Sequence, residues 1–140
     1  RQIYNSPKFC KRICEVEISD PRWIFLSFDS SGSARFYDSK SLSTSDNIVK
    51  VWVKIIYSEK AKQEYIKEKG RKYENLDLSL DLLEIDCTKK IFQILSFIYY
   101  ASDGSVIDSY DYPEFLADWN PIPPDSMIEA LFKKVCQVKE

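Results

Sequence analysis

The sequence predicts an α+β fold: an antiparallel sheet of about six strands with a C-terminal helix packed on one face and tied to a strand by a disulfide. Three observations predict it. Short β-type runs are joined by hairpin signals, a strongly amphipathic helix pattern lies near the end of the chain, and two cysteines stand where that helix would meet the sheet. Successive hairpins reverse the chain at each step, so neighbouring strands run antiparallel.

Composition sets the class of protein. A chain of 140 residues is long enough for one domain with a substantial core, and 44% hydrophobic and 30% charged residues are typical of a globular protein. The formal net charge of −2 lacks the basic excess that nucleic-acid binding requires. The sequence contains no histidine, so the usual catalytic base and the commonest metal ligand are missing. We therefore expect no catalytic residues, no metal site and no cofactor.

The first half of the sheet is predicted from three runs. Residues 23–28 and 33–39 are short β-type segments, and the polar stretch between them ends in Gly32, a composition suited to a tight reversal. Residues 48–57 alternate strictly, with the valines and an isoleucine on one side and mainly polar residues on the other. That alternation is expected of a half-buried strand.

The second half of the sheet follows a charged segment. Residues 80–87 and 91–100 are two further β-type runs. The second run meets Asp103 and Gly104, which form the strongest short hairpin signal in the chain. A sixth strand is predicted to begin at Val106.

Two segments are predicted to be helical. Residues 59–69 are strong helix formers that end at Gly70, but their apolar content is thin, so this helix is expected to be a solvated crossover. Ser126 and Glu129 form a capping box directly after a proline-rich stretch. The apolar residues after the box recur with helical spacing and predict a buried stripe: Ile128, Leu131, Phe132 and Val135.

The cysteines favour disulfides. The chain lacks the two tight Cys-x-x-Cys pairs of a zinc site and the spacing of a redox motif. Cys136 lies one turn beyond Phe132 on the edge of the helical stripe, and Cys87 shares a predicted strand face with Leu83 and Ile85. Packing the helix on the sheet would therefore bring the two sulfurs together. Disulfides would place the protein outside the cytoplasm, since thiols inside a mesophilic cell are kept reduced.

A second disulfide, between Cys10 and Cys14, requires a bend. An extended segment would hold the two Cα atoms roughly 13 Å apart, which is too far for a bridge. An intermolecular bridge or two free thiols are the alternatives. No signal peptide or membrane-spanning run is visible, so we expect attachment to a membrane only through an anchor absent from this chain.

Two groups of residues are candidates for binding a protein. Trp52 lies between Lys50 and Lys54 on one strand face and predicts either an aromatic anchor with cationic neighbours or ordinary packing at the rim of the core. Tyrosines crowd the last predicted hairpin, where they would form a recognition surface or simple cross-strand pairs. These tyrosines are Tyr99, Tyr100, Tyr110 and Tyr112.

The run at 91–100 is apolar on both faces, with Phe92, Ile94 and Ile98 predicted on one side. Each face of such a strand must be covered, and one C-terminal helix covers only one. We expect the N-terminal segment, the 59–69 helix or a second subunit to cover the other. The sequence therefore predicts a homodimer or a partner surface opposite the C-terminal helix.

Several short motifs occur in a characteristic order and spacing. They are Trp23, Phe36-Tyr37-Asp38, Val51-Trp52-Val53-Lys54, Ile85-Asp86-Cys87, Asp103-Gly104, the segment from Trp119 to Ser126, and Cys136. Together they resemble the surface-adhesin protein E family of bacterial envelope domains, from about Trp23 to Gln137. The resemblance implies one domain over residues 23–140, preceded by an extension over residues 1–22 with its own cysteine pair.

The family resemblance also implies a function. Members are exported or lipid-anchored, and the family name comes from binding host matrix proteins. We expect a non-catalytic, adhesin-like domain in the periplasm, the outer membrane or the cell surface of a bacterium, with extracellular protein partners. The alternatives are a carrier of a small apolar ligand such as a tetrapyrrole or a lipid, and an envelope protein of structural role.

Overall fold

One antiparallel sheet dominates the computed structural model, which describes residues 22–116 and 118–136. Its six main strands, in spatial order, are β1 (Trp23–Phe28), β2 (Ala34–Asp38), β4 (Ile48–Ile56), β5 (Leu76–Asp86), β6 (Ile91–Ala101) and β7 (Val106–Asp111). Two short strands, β3 (Ser43–Ser45) and β8 (Asn120–Pro121), pair with β4 and β6. The predicted α+β fold, its six strands and their antiparallel arrangement are confirmed.

The short strands extend the sheet beside the long ones. β3 continues past the end of β2 along β4, after which Asp46 and Asn47 make the turn with φ of 51° and 69°. Asx residues tolerate this left-handed conformation, and a two-residue turn of this kind closes a tight hairpin. Neither β3 nor β8 was predicted, because a strand of three polar residues and a strand of two residues are too short to show a periodic pattern.

The β6–β7 hairpin forms as its sequence predicts. Gly104 has a φ of 88°, a conformation that a residue with a Cβ rarely adopts. The Asp103 carboxylate accepts hydrogen bonds from the Ser105 backbone N–H at 2.9 Å and from the Ser105 hydroxyl at 2.6 Å. The turn is thereby held by one acidic side chain.

Helix α1 (Glu59–Lys69) has the predicted bounds. The Ser58 hydroxyl accepts a hydrogen bond from the Ala61 backbone N–H at 3.1 Å and caps the N-terminus. Gly70, with a φ of 103°, ends the helix and donates its N–H to the Ile66 carbonyl at 2.9 Å. A 3₁₀ turn, Arg71–Tyr73, then leads into β5.

Helix α2 (Met127–Cys136) begins at the predicted capping box. The Ser126 hydroxyl accepts from the Glu129 N–H at 3.1 Å, and the Glu129 carboxylate accepts from the Asp125 N–H at 2.9 Å. Leu131 and Val135 are buried, so the predicted stripe is confirmed.

Both helices pack on the same side of the sheet, which we call the helical face. Val49, Val51 and Val53 of β4 share one buried cluster with Leu131 of α2 and Ala61 of α1. Neither described helix packs on the opposite side, which we call the second face. The 59–69 helix therefore does not cover the face for which a cover was expected.

The faces of β6 differ from the prediction. Leu83 pairs with Ile94, but Leu80 pairs with Ile98, so one extra residue of β6 is accommodated between them as a bulge. Ile94 therefore lies with Phe92 on the helical face, whereas Ile98 lies on the second face. The prediction that these three residues share one side is wrong, because a bulge reverses the alternation of side chains beyond it.

A disulfide joins Cys87 and Cys136, whose Cα atoms are 5.6 Å apart, and this confirms the predicted pair. Cys87 directly follows β5, and Cys136 is the last residue of α2. The bond therefore fastens the end of the terminal helix to the end of a central strand. Cys10 and Cys14 lie outside the described residues, so their pairing stays a prediction.

A buried carboxylate closes the first hairpin at its base. Asp38 is 1% exposed and accepts hydrogen bonds from both Nε and Nη2 of Arg22, from the Lys40 N–H at 2.9 Å and from the Ser41 hydroxyl at 2.6 Å. Burial opposes the charge, but these donors outweigh it and lower the pKa of Asp38 to about 2.

We predict that removing the disulfide destabilises the domain without changing its fold. The bond closes a separation of 49 residues, so the double variant Cys87→Ala/Cys136→Ala should lose up to about 4 kcal/mol of unfolding free energy. Urea denaturation followed by circular dichroism measures this loss. Reductant should lower the stability of the wild type toward that of the variant; equal stability of variant and oxidised wild type would contradict the prediction.

Candidate protein-binding surface

The sequence-predicted binding residues lie on two different faces. Lys50, Trp52 and Lys54 are on the second face, opposite the valines of β4. Tyr99 and Tyr110 are on the helical face, because residues paired across strands point to the same side of the sheet. Pairing across the strands connects Tyr99 to Ile55 and Tyr110 to Val53. The structure therefore does not bring the five residues together into one site.

Trp52 packs at the edge of a small buried cluster on the second face. The centre of that cluster is Phe36, which is 0% exposed, and Trp52 is half-buried beside it. The Lys54 ammonium lies 4.3 Å from the centroid of the Trp23 ring, in cation–π geometry. Lys50 is exposed and pairs across the strands with Glu84.

Tyr99 belongs to a cluster of tyrosines beneath α1. Its ring centroid lies 5.6 Å from those of Tyr65 and Tyr73 and 6.2 Å from that of Tyr57. The hydroxyls of Tyr65 and Tyr99 are 3.2 Å apart, and that of Tyr57 is 3.0 Å from the Ser79 hydroxyl. Tyr99 thus helps to dock α1 on the sheet.

The buried phenols of this cluster offer no base or nucleophile near neutral pH. Burial raises the pKa values of Tyr57 and Tyr99 well above the usual value for tyrosine. Burial, together with a hydrogen bond donated to Asp108, raises the pKa of Tyr73 to about 12. The three groups stay protonated and neutral.

An exposed group of aromatic rings lies beyond the two helices, on the β6–β7 side of the helical face. This aromatic patch consists of Phe97, Tyr110 and Tyr112, whose ring centroids are 4.8 to 6.3 Å apart. Tyr110 is 47% exposed and Tyr112 is 42% exposed. Large rings that contact one another and remain open to solvent are typical of protein-binding surfaces.

The chain just after β7 adds further apolar surface. Phe115 is 85% exposed and Leu116 is 54% exposed, in a 3₁₀ turn, Glu114–Leu116. Sequence reasoning missed both residues because this segment has no periodicity, and it also missed Phe97. The hairpin signal could have found Phe97, because counting outward from a two-residue turn at Asp103 and Gly104 pairs Phe97 with Tyr110.

A buried carboxylate lies behind the patch. Asp81 pairs with Phe97 across the strands, and its Oδ1 atom has no hydrogen-bond partner among the described residues. Burial raises the pKa of Asp81 to about 6, although the Ser79 hydroxyl and the positive charge of Arg35 partly offset the effect. The buried Nε of Arg35 also lacks a described partner.

Neither a cluster of metal ligands nor a membrane-spanning helix is found in the described part of the chain. Within residues 22–116 and 118–136, no three Cys, Asp or Glu side chains are grouped so as to hold a metal ion. In the same part of the chain, no helix has both the length and the apolar character needed to cross a bilayer. What the geometry does present is a disulfide-tied sheet with aromatic rings on its surface, which defines a binding domain.

The sequence identifies the family of this binding domain. The pattern of the surface-adhesin protein E family matches residues 23–137, and the chain belongs to that family. The resemblance inferred from the motifs is thereby confirmed. No curated protein sequence matches the chain.

Solved structures of similar fold come from Haemophilus influenzae. Crystal form II of H. influenzae protein E has a TM-score of 0.56 at 11% identity, covering 84% of this chain and 88% of that one. A second structure of protein E has a TM-score of 0.55 at 12% identity, covering 84% and 85%. Protein E from a non-typeable strain has a TM-score of 0.51 at 11% identity, covering 83% and 76%. At this identity the likeness establishes the fold.

Membership of the family defines the class of function. The chain is an adhesin-like surface protein, and its family indicates a non-enzymatic role, an extracytoplasmic or surface location and interaction with extracellular proteins. The comparisons give no support to the alternative of a small apolar-ligand carrier.

We predict that Asp81 makes the domain less stable as pH rises from about 4 to 7. Its pKa is higher in the folded state, so the folded protein binds the proton more tightly and loses stability when the proton leaves. As the pH rises from about 4 to 7.5, the unfolding free energy of Asp81→Asn should increase by roughly 3 kcal/mol relative to that of wild type. Denaturation at several pH values measures this gain.

The exposed substitution Glu68→Gln serves as the control for loss of a negative charge. Its difference from wild type should change by less than about 0.5 kcal/mol over the same range. An Asp81→Asn difference that stays constant with pH would show that Asp81 titrates alike in the folded and unfolded chains, contrary to the prediction.

Proposed function

We propose that this protein is a non-catalytic adhesin of the bacterial envelope that binds extracellular proteins through the aromatic patch of Phe97, Tyr110 and Tyr112. One observation carries the proposal. The two tyrosine rings touch, with centroids 4.8 Å apart, yet nearly half of each side chain is open to solvent.

The patch has the properties of a recognition surface. Tyrosine presents a large apolar body with a polar hydroxyl and loses little rotamer entropy on binding. Phe97 and Tyr110 are paired across the β6–β7 hairpin, so the sheet holds their positions before a partner arrives. The neighbouring Phe115 and Leu116 enlarge the apolar area available to that partner.

The envelope location is supported by the disulfide as well as by the family. A bond between Cys87 and Cys136 persists in an oxidising compartment, and thiols in the cytoplasm of a mesophile are reduced. We infer that the protein acts in the periplasm, at the outer membrane or on the cell surface.

A homodimer through the second face is a further candidate. It is favoured because neither described helix packs on that face, while the apolar side chains of Trp52, Leu80 and Ile98 lie there only half-buried. Lys50 and Lys54 would flank Trp52 at the rim. Sedimentation equilibrium tests this candidate, and a monomeric mass at every concentration would exclude the dimer.

We predict that Tyr110→Ser/Tyr112→Ser weakens adhesion by about tenfold or more. Each ring removed from the centre of a protein interface typically costs more than 1 kcal/mol. Surface plasmon resonance against immobilised extracellular-matrix glycoproteins measures the change in Kd. Both residues are exposed, so the circular dichroism spectrum and the unfolding midpoint should stay near those of wild type.

The matched control is Val106→Ser. Val106 is 56% exposed on the same strand but pairs with Tyr100, outside the patch, so its loss should leave the Kd within about twofold. If the tyrosine variant and Val106→Ser bind as wild type does, the aromatic patch is not the adhesive surface.

A further inference from the structure

Charge is segregated along the chain. All 20 lysines and arginines lie outside residues 91–132, and that segment carries seven acidic residues. The chain as a whole has a formal net charge of only −2, so the remainder is basic. Five of the seven belong to β7 and the turns on either side of it, and they give this side of the sheet a local negative charge: Asp103, Asp108, Asp111, Glu114 and Asp118. The other two, Asp125 and Glu129, lie at the start of α2.

β7 also has an open backbone edge. It is the last strand in the order of the described sheet, with β6 on one side and no described strand on the other. The Tyr112 N–H points inward and donates to the Leu95 carbonyl at 2.8 Å. Because inward and outward groups alternate along a strand, the backbone N–H and C=O groups of Ser109 and Asp111 face outward. The Ser109 N–H donates to Asp108 Oδ1 at 3.0 Å, which leaves the Ser109 C=O and both backbone groups of Asp111 to pair with an added strand.

The carboxylates along this edge are differently engaged. Asp108 accepts a hydrogen bond from Tyr73 at 3.1 Å and lies 3.4 Å from the Lys72 ammonium. Asp111, Glu114 and Asp118 are exposed and form no ion pair with a described residue. These three are therefore available to a cationic partner.

We propose that the β7 edge binds an extended basic segment of the partner protein, which adds to the sheet as an antiparallel or parallel strand. The Ser109 C=O and the N–H and C=O of Asp111 bond its backbone, and Asp111 and Glu114 pair with its arginine or lysine side chains. Tyr110 supplies a ring face for a guanidinium. This rests on the proposed function and specifies the chemistry of its partner.

A second copy of the chain does not fit this edge. Pairing β7 with itself would place two acidic strands side by side, since each copy contributes Asp108 and Asp111, and like charges on paired strands are destabilising. Charged side chains on edge strands commonly prevent such self-association. A basic strand has the opposite effect, because it neutralises the same carboxylates.

The test uses the intact protein and two labelled peptides. One is a nine-residue peptide of alternating arginine and threonine, and the other has glutamate in place of arginine. Fluorescence anisotropy should show saturable binding of the arginine peptide, weakening as salt rises, and none of the glutamate peptide. Absence of saturable binding by the arginine peptide at low salt would overturn the proposal.

Two variants separate the charge from the strand edge. Asp111→Asn/Glu114→Gln should weaken binding of the arginine peptide roughly three- to tenfold, as two exposed charge pairs are lost. Ser109→Pro leaves the ladder to β6 intact but replaces an outward N–H, which donates to Asp108 Oδ1 in the free protein, with a ring that blocks an added strand. It should weaken binding of the arginine peptide by about tenfold. Glu64→Gln/Glu68→Gln on α1, which removes two exposed negative charges as the acidic double variant does, should leave the Kd unchanged.

Failure of this inference can be told apart from failure of the proposed function. If matrix binding is lost in Tyr110→Ser/Tyr112→Ser but survives in Asp111→Asn/Glu114→Gln and in Ser109→Pro, the patch is adhesive and the basic-strand proposal is wrong. Equal weakening by Glu64→Gln/Glu68→Gln would show that the effect is one of net charge and would likewise overturn the proposal. If the wild type is a dimer and Ser109→Pro makes it monomeric, the edge binds a second copy of the chain, and the proposal is overturned.

Discussion

The bond between Cys87 and Cys136 and the apolar stripe beside it set the arrangement of the whole molecule. They hold α2 against the helical face, where Leu131 and Val135 cover the valines of β4. A ten-residue helix covers only part of a sheet of this width. With α2 near β1 and α1 above the tyrosine cluster, the β6–β7 part of the same face is left for the aromatic patch.

Helix α1 is mostly polar, yet it packs against the core through a few side chains. Its buried contribution is Ala61, and its main anchor is the ring of Tyr65, which contacts Tyr57, Tyr73 and Tyr99. Ring contacts of this kind contribute beyond the area they bury, and hydroxyl pairs satisfy the phenols. Tyr99 is therefore packed beneath α1. Tyr110, which lies two residues along β7 from Asp108, the cross-strand partner of Tyr99, stays exposed.

The candidate site was only partly readable from the chain. Tyr110 was found because tyrosines crowd a hairpin, but Tyr99, which was grouped with it, is committed to packing. Trp52, Lys50 and Lys54 were placed correctly opposite the valines, since strict alternation fixes a strand's two sides. Whether those sides meet the aromatic hairpin residues depends on strand order and bulges, which alternation does not encode. The absence of lysine and arginine from residues 91–132 could have been read from the sequence alone.

Sequence by itself predicted the six main strands, the two described helices, the end of α1 at Gly70, the capping box of α2 and the disulfide between Cys87 and Cys136. Each of these follows from local chemistry: hairpin residues, capping side chains, apolar spacing and one stripe that must be buried. Only the tertiary structure decided that both helices share a face, that a bulge divides β6 between two faces and that Asp81 is buried behind the patch. Such outcomes depend on residues far apart in the chain competing for the same surface, and no local pattern records that competition.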